Sequence, residues 1–264
     1  MIMKRYLNHY LRIFKLSVMD NMVHRENFFT WAAIHTISLI SLIIFFSVIY
    51  QGTTNINGWT EYQSLLVLGV GTLITGLGSI TFFSFMYDFG REIADGSFDM
   101  RLTKPLDIHF QSAFLWTDIE DSINIPSSLI LISYSLWKLK PEHLFINVVG
   151  FAIMLASSMI ILFSLLTFIQ SLAFKFIKVD SVANFYWSVV NTAKYPAKAI
   201  RNVGVIASTL LIPIAIISSV PAEILFGRWE PIWIIGSISS AVVLLILSRL
   251  VFMSSLRHYS SASS

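Results

Sequence analysis

The segment DFGREIADGSFDMRLTKPLDIHFQ, residues 88–111, is the polar stretch around which the rest of the chain is organised. We expect residues 82–94 to continue the apolar helix that precedes it, and Gly96 stands where a left-handed residue would end that helix. Ser97 can then cap a new helix, which must stop before Pro105 because proline disfavours helical dihedral angles in the preceding residue. The pattern predicts a helix end, a tight turn and a second helix of about two turns.

This predicted short helix is too short to cross a bilayer and too polar to lie inside one. Phe98 and Leu102 would lie one turn apart on it and form a small apolar knob that another protein could bind. The alternative is a solvated loop that only joins two membrane spans. Under the first interpretation, the candidate docking residues are Arg91, Glu92, Gly96, Ser97, Phe98, Met100, Arg101, Leu102, Lys104 and Pro105.

The composition places the chain in a membrane. Apolar residues make up 55% and charged residues 12% of the 264 residues, and the mean hydropathy is +0.72, outside the range of soluble globular proteins. The net charge of +3 is too small to indicate a nucleic-acid partner. Because the chain has no cysteine, disulfides, thiolate metal sites and cysteine nucleophiles are excluded.

Six apolar segments each have about the 20 residues that a helix needs to cross a bilayer. A basic and amphipathic segment, residues 1–25, precedes them and has the pattern of a helix lying among the lipid headgroups. We therefore predict an all-α integral membrane fold that forms one transmembrane domain over residues 1–264. The predicted spans are 28–50, 62–87, 115–136, 145–170, 202–220 and 231–253.

Basic residues predict the orientation of these spans. With both termini in the cytoplasm, all but three of the 18 Lys and Arg residues fall on the cytoplasmic side, the exceptions being Lys138, Lys140 and Arg228. This distribution follows the positive-inside rule. It places the polar segment 88–111 in the cytoplasm, where a cytosolic partner could reach it.

The start of the third span has two interpretations. Asp118, Glu120 and Asp121 lie there, although carboxylates are costly in hydrocarbon. Either the span begins near Ile123, or the three acids line a water-filled cytoplasmic mouth.

The fifth span also has two interpretations. Residues 182–190 are apolar and aromatic, and they form either an interfacial helix or a short fifth span that would make residues 202–220 re-entrant. The distribution of basic residues favours the interfacial helix. Three prolines predict a broken or re-entrant helix, which is tolerated where it packs on protein or lines a cavity: Pro196, Pro213 and Pro221.

Motifs for catalysis and for nucleotide binding are missing from the sequence. It contains no G-x-x-x-x-G-K-[ST], no H-E-x-x-H and no G-x-S-x-G. The six histidines are scattered without metal-ligand spacing, and we expect His35, in the first span, to hydrogen-bond to a neighbouring helix. The sequence therefore predicts no cofactor, no metal and no enzyme active site in this chain.

The order of these parts resembles the membrane subunits of type-2 ABC transporters, over nearly the whole chain. Residues 91–111 look like the segment between spans two and three in a bacterial branch of this family, although Met100 and Thr103 stand where leucines are usual. Residues 195–227, YPAKAIRNVGVIASTLLIPIAIISSVPAEILFG, and the terminal RHYSSAS from Arg257 also agree. The matching positions in the polar segment are Gly96, Leu102, Lys104 and Pro105.

The resemblance implies a subunit of an exporter in the bacterial cytoplasmic membrane. A separate cytosolic ABC ATPase would bind ATP and Mg²⁺, the short helix would dock in a groove of that ATPase as a coupling helix, and the N-terminal helix would rest beside it. Two permease subunits, identical or similar, would sit on two ATPase subunits. The competing hypothesis is a secondary transporter in which Asp118, Glu120 or Asp121 carries protons.

Overall fold

The computed structural model describes residues 2–114, 116–174, 180–196 and 217–259, which form helices joined by short connections. No β-strand forms within these ranges, so the predicted all-helical class is confirmed. Two 3₁₀ turns occur, at Glu120–Ile123 and Leu172–Phe174. The helices are α1 Ile2–Val23, α2 Arg25–Gln51, α3 Glu61–Thr81, α4 Phe85–Asp95, α5 Asp99–Leu102, α6 Ile108–Ala113, α7 Asn124–Leu139, α8 Leu144–Ser171, α9 Asp180–Thr192, α10 (described over 217–225) and α11 Pro231–Leu256.

Four helical segments in the described part of the chain are long and apolar enough to cross a membrane. They are α2, the run formed by α3 and α4, α8, and α11. The α3–α4 run is the most buried of the four and α2 the least, so α3 lies at the centre of the bundle and α2 at its edge. The helices α8 and α11 pack against each other, as do α3 and α7. The predicted membrane character is thereby confirmed, whereas six spans remain a prediction.

The expectation that residues 82–94 continue the helix of the predicted second span, 62–87, is wrong, because the helix is interrupted at residues 82–84. The backbone N–H groups of Phe82 and Phe83 both donate to the carbonyl oxygen of Gly78, at 2.9 and 3.0 Å, and the second of these bonds spans five residues instead of four. The ring of Phe83 folds back onto Gly78, where a Cβ atom would lie 2.3 Å from it. The missing side chain therefore permits a break between α3 and α4.

The predicted third span, 115–136, begins too early. Residues 116–119 are not helical, and α7 starts only at Asn124. The N–H group of Asp118 donates to the carbonyl oxygen of Ser79 in α3, at 3.1 Å, and is thereby used outside a helix. The helix therefore starts next to Ile123, as one of the two interpretations predicted, and the water-filled mouth stays a prediction. With 16 residues, α7 is about 24 Å long, less than the hydrocarbon thickness.

Glycines let α3 approach its neighbours closely. A Cβ atom at Gly69 would lie 2.9 Å from Ile132, and one at Gly76 would lie 2.9 Å from Ile125, both in α7. Small residues at such positions bring membrane helices into backbone contact. Gly69 and Gly76 therefore allow α3 and α7 to pack closely within this chain.

We call the two ends of the bundle the α1 end and the Trp59 end. At the α1 end, the Tyr6 hydroxyl accepts a hydrogen bond from the backbone N–H of Asp107, at 3.2 Å. At the Trp59 end, the rings of Trp59 and Phe226 lie 5.9 Å apart. The α1 end gathers α1, α5 and α6, and it is the end predicted to face the cytoplasm.

One side of the helix α9 packs on the bundle, whereas the choice between an interfacial helix and a short fifth span for residues 182–190 stays a prediction. Tyr186 is 1% exposed, its ring lies 5.7 Å from that of Phe83, and its hydroxyl donates to the carbonyl oxygen of Leu162 at 3.2 Å. These partners bury the Tyr186 side of α9 against the protein at the α1 end of α3. A buried tyrosine with a bonded hydroxyl is typical of a core position.

The helix α10 continues this path toward the Trp59 end. The hydroxyl of Ser218 donates to the carbonyl oxygen of Ala193, just after α9. Farther along, Ile224 packs beside Gly150 of α8, and Phe226 meets Trp59. The end of α9 therefore contacts the described part of α10, which extends toward the Trp59 end. Most of the predicted span 202–220, including Pro213, lies outside the described residues.

Candidate docking site

The turn that introduces the docking segment has the predicted glycine. Gly96 ends α4 with φ +79°, a left-handed conformation that favours glycine, and the N–H of Phe98 donates back to the Glu92 carbonyl at 3.1 Å. Ser97 does not cap the next helix as predicted. Its N–H donates to Oδ1 of Asp95 at 2.9 Å, so it belongs to the turn instead.

The helix that follows is a single turn, α5, and not the two turns predicted. Its first residue is Asp99, and the N–H of Lys104 still donates to the carbonyl oxygen of Arg101 at 3.2 Å, in a turn beyond the helix end. Pro105 follows at once. The predicted stop before this proline is confirmed, because α5 ends at Leu102.

Phe98 is not part of an exposed knob, and that prediction is wrong. It is fully buried, with ring centroids of Phe89 at 5.4 Å, Phe174 at 5.7 Å and Tyr259 at 5.2 Å. The ring points into this aromatic cluster because edge-to-face packing removes its large apolar area from water. Phe98 therefore anchors the segment.

The exposed apolar surface of the segment belongs to Met100 and Leu102. Their exposed fractions are 66% and 48%. Lys104, Pro105 and the guanidinium group of Arg91 are exposed around them. The surface available to a partner is thus the small apolar pair Met100 and Leu102 on a segment that also carries basic groups. The buried Phe98 holds this segment to the protein.

An ion pair holds this segment to the preceding helix. The guanidinium group of Arg101 makes two parallel hydrogen bonds to the carboxylate of Glu92, and both side chains are mostly buried. Arg101 also donates to the carbonyl oxygen of Gln111 in α6, at 3.4 Å. A planar two-point contact of this kind fixes orientation as well as distance. The short helix is therefore held to both α4 and α6.

Two further contacts tie the segment to α11 and the residues after it. Arg249 donates to a carboxylate oxygen of Asp107 at 2.6 Å, and the hydroxyl of Tyr259 donates to Asp99 at 3.1 Å. Sequence reasoning missed these pairs, since nothing local links residues so far apart. Only the role of Asp107 as N-cap of α6, where it accepts the N–H of Phe110 at 3.0 Å, had a local signal.

The N-terminal helix rests against the same region. The hydroxyl of Tyr10 donates to the carbonyl oxygen of Ile80 at 2.9 Å, and the ring of Tyr6 packs edge-on against Phe110 at 4.7 Å. Apolar side chains on another side of α1 are exposed, among them Leu7 and Leu11. One side of α1 therefore packs on the bundle while another presents apolar groups outward.

Comparison with known proteins decides the family. A family model described as "ABC-2 family transporter protein" matches residues 36–263. This chain belongs to the ABC-2 transporter family. Comparison with curated proteins and with solved structures found no match. Membership in the ABC-2 family makes the chain a membrane component of an ABC transporter, as the resemblance implied.

The three acids of this ABC-2 chain lie between α6 and α7, outside the four long apolar segments. A carboxylate oxygen of Asp121 contacts Nε2 of His35, and its other oxygen accepts from the Ser79 hydroxyl at 2.7 Å. The expected interhelical hydrogen bond of His35 is thus present. Burial raises the pKa of Asp118 to about 7, and the negative charge of Asp121 adds to this effect. Glu120 is more exposed, and a shared water-filled mouth stays a prediction.

Two of the three prolines that predicted a broken helix in this ABC-2 chain lie in the described residues. Pro196 is buried just beyond α9, and Pro221 is buried within α10. Since α9 and α10 are separate helical segments, a broken helix is consistent with these two positions. No described group of three or more His, Asp or Glu residues has the arrangement of a metal site.

Proposed function

We propose that this chain is the membrane-spanning subunit of an ATP-driven ABC exporter in the bacterial cytoplasmic membrane. A separate cytosolic ATPase binds and hydrolyses ATP with Mg²⁺, and this chain supplies the path for the cargo. Both termini and the α1 end face the cytoplasm, as the distribution of basic residues predicts. Family membership supports the transporter assignment.

The observation that carries the coupling proposal is the construction of α5. Its exposed Met100 and Leu102 form the surface that the ATPase binds. Its buried Phe98 and the Arg101–Glu92 ion pair transmit any displacement of that surface into α4. A freely solvated loop would have exposed polar residues without such anchors, so the geometry favours a coupling helix.

The proposed mechanism is rigid-body switching. Closure of two ATPase subunits on ATP pushes the α5 segments of two permease subunits, which are identical copies or two similar chains. Because Asp107 is bound to Arg249 and Asp99 to Tyr259, the displacement reaches α11 as well as α4. The spans then rock between inward-open and outward-open arrangements.

Co-purification and an energy-source measurement test this function together. The detergent-solubilised chain is expected to carry with it the ABC ATPase encoded beside it. In liposomes that hold both subunits, ATP hydrolysis is expected to persist when a protonophore collapses the proton gradient. A permease that never retains the ATPase would contradict the proposal, and a cargo flux that stops with the gradient would support the secondary transporter instead.

A further inference from the structure

A polar face runs along α9 at the level of the membrane spans. Asn184, Ser188 and Asn191 are spaced four and three residues apart, so they share one side of the helix, and all three are exposed in the single chain. The buried residues Tyr186 and Val190 occupy the other side. The helix therefore presents amide and hydroxyl groups away from the protein that it packs against.

Such a face does not belong against lipid tails. The hydroxyl of Ser188 donates to the carbonyl oxygen of Asn184 at 2.8 Å, which satisfies it locally. The side-chain amide groups of Asn184 and Asn191 take no part in this contact, and each can both donate and accept hydrogen bonds. Polar side chains at such depth face protein or a water-filled cavity.

Lys194 stands at the inner end of this face. Gly71 is the central residue of the 21-residue α3, about 15 Å from either end of that helix. A Cβ atom at Gly71 would lie only 3.2 Å from Cγ of Lys194 and 2.9 Å from the carbonyl oxygen of Ala193. The missing side chain of Gly71 thus lets the lysine approach the middle of the central helix.

The ammonium group has a neutral hydrogen-bond partner. Its Nζ donates to Oδ1 of Asn191 at 3.1 Å. The carboxylate of Asp121 attracts Lys194 electrostatically, but it is itself bound by His35 and Ser79. A cation held at this depth by an amide is costly unless an anion joins it, and intramembrane cations commonly mark substrate paths.

We propose that Lys194 and Asn191 form a binding site for an anionic group of the cargo, reached through water along the polar face of α9. That the bound molecule is a transported cargo rests on the proposed function, whereas the anion site itself does not. Charge complementarity selects an anionic and amphipathic molecule as the occupant. The shared polar face gives its headgroup a hydrated route to the ammonium group.

The absence of native cysteine allows a direct test. Single-cysteine variants Ser188→Cys and Asn184→Cys, reconstituted in nanodiscs that leave both membrane faces open, would be labelled with two impermeant methanethiosulfonate reagents. One reagent carries a sulfonate and the other a trimethylammonium group. Ile246→Cys, exposed on the apolar surface of α11, is the matched control for a position facing lipid.

We expect both α9 variants to react and the α11 control to stay unlabelled. Relative to the rates of the two reagents with a free thiol, the sulfonate reagent should be favoured over the cationic one at Ser188→Cys, and less so at Asn184→Cys, which lies one turn farther away. Adding Lys194→Met should lower the sulfonate-to-cation rate ratio at Ser188→Cys by roughly tenfold, and Lys194→Arg should keep it.

Other outcomes overturn the inference. If neither α9 variant reacts until the protein is unfolded, a second copy of the chain or lipid covers the face. If both reagents react equally with and without Lys194, the path exists but holds no anion site. ATPase retention, measured on the same variants, reports separately on the proposed function, so either claim can fail alone.

Discussion

Phe98 determines what the docking segment can do, because it is the residue that holds α5 in place. The sequence shows that Phe98 is a large apolar residue, but it does not show that the side chain points into the protein. The ring is buried by Phe89 nearby and by Phe174 and Tyr259, which are far along the chain. Gly96 could be predicted because a left-handed turn is a local requirement. A one-turn helix has no such local rule for which side is buried.

Replacing Phe98 by alanine should destabilise the protein. Loss of a fully buried ring costs about 3–5 kcal/mol, whereas Met100→Ala, at an exposed position, should change the free energy of unfolding by less than about 0.5 kcal/mol. Thermal or denaturant unfolding in detergent measures both. Equal effects for the two variants would show that Phe98 is not the anchor.

Asp118 should make stability depend on pH in an unusual direction. Its pKa is raised from 3.8 to about 7, chiefly by burial. Between these values the folded chain keeps a proton that the unfolded chain has lost, so stability falls as the pH rises from about 4 to about 7. Asp118→Asn removes this contribution. The Tm of this variant minus the Tm of the native chain should therefore increase as the pH rises from 5 to 7.

Thermal unfolding of both proteins across this pH range measures the difference. Glu142→Gln, which changes an exposed carboxylate at the other end of the bundle, is the control and should leave the pH profile of the native chain unaltered. A Tm difference between Asp118→Asn and the native chain that stays constant with pH would contradict the assignment.

At the scale of elements, the break between α3 and α4 depends on one glycine. Gly78→Ala would put a methyl group 2.3 Å from the Phe83 ring and should cost about 1–3 kcal/mol. The same change should cost much less in a Phe83→Ala background. Gly236→Ala, where a Cβ atom meets nothing within 4 Å, should be neutral or slightly stabilising. Unfolding free energies of Gly78→Ala, Phe83→Ala and the double variant measure how far the cost at Gly78 depends on the Phe83 ring.

Equal costs of Gly78→Ala in the two backgrounds would mean that the ring does not set the break.

The elements differ in how well the sequence predicted them. Helices α8 and α11 match the predicted spans 145–170 and 231–253 within a few residues, because their apolar runs are long and uninterrupted. The start of α7 was predicted only as one of two alternatives, since it depends on the backbone contact between Asp118 and Ser79. The position of α9 depends on burial of Tyr186 by two other helices. Periodicity reports local structure, whereas these features are tertiary.

At the scale of the whole molecule, α5 and the Phe98 that precedes it contact several elements besides α6. The Arg101–Glu92 pair leads to α4, Phe174 leads to the end of α8, and Tyr259 leads to α11. These are packed or hydrogen-bonded contacts of the kind that carries coupling between distant sites. Under the proposed function, a displacement of this single helical turn would therefore act on the ends of several long helices together.

The central claim is that Met100 and Leu102 receive the ATPase. The most direct test is the amount of ATPase retained by the solubilised chain carrying Met100→Asp and Leu102→Asp, compared with the native chain and with Thr54→Asp, an exposed change at the Trp59 end. We expect the double variant to fold with an unchanged Tm and to retain at least tenfold less ATPase than the native chain. Thr54→Asp should retain as much ATPase as the native chain. Full retention by a folded double variant would contradict the account.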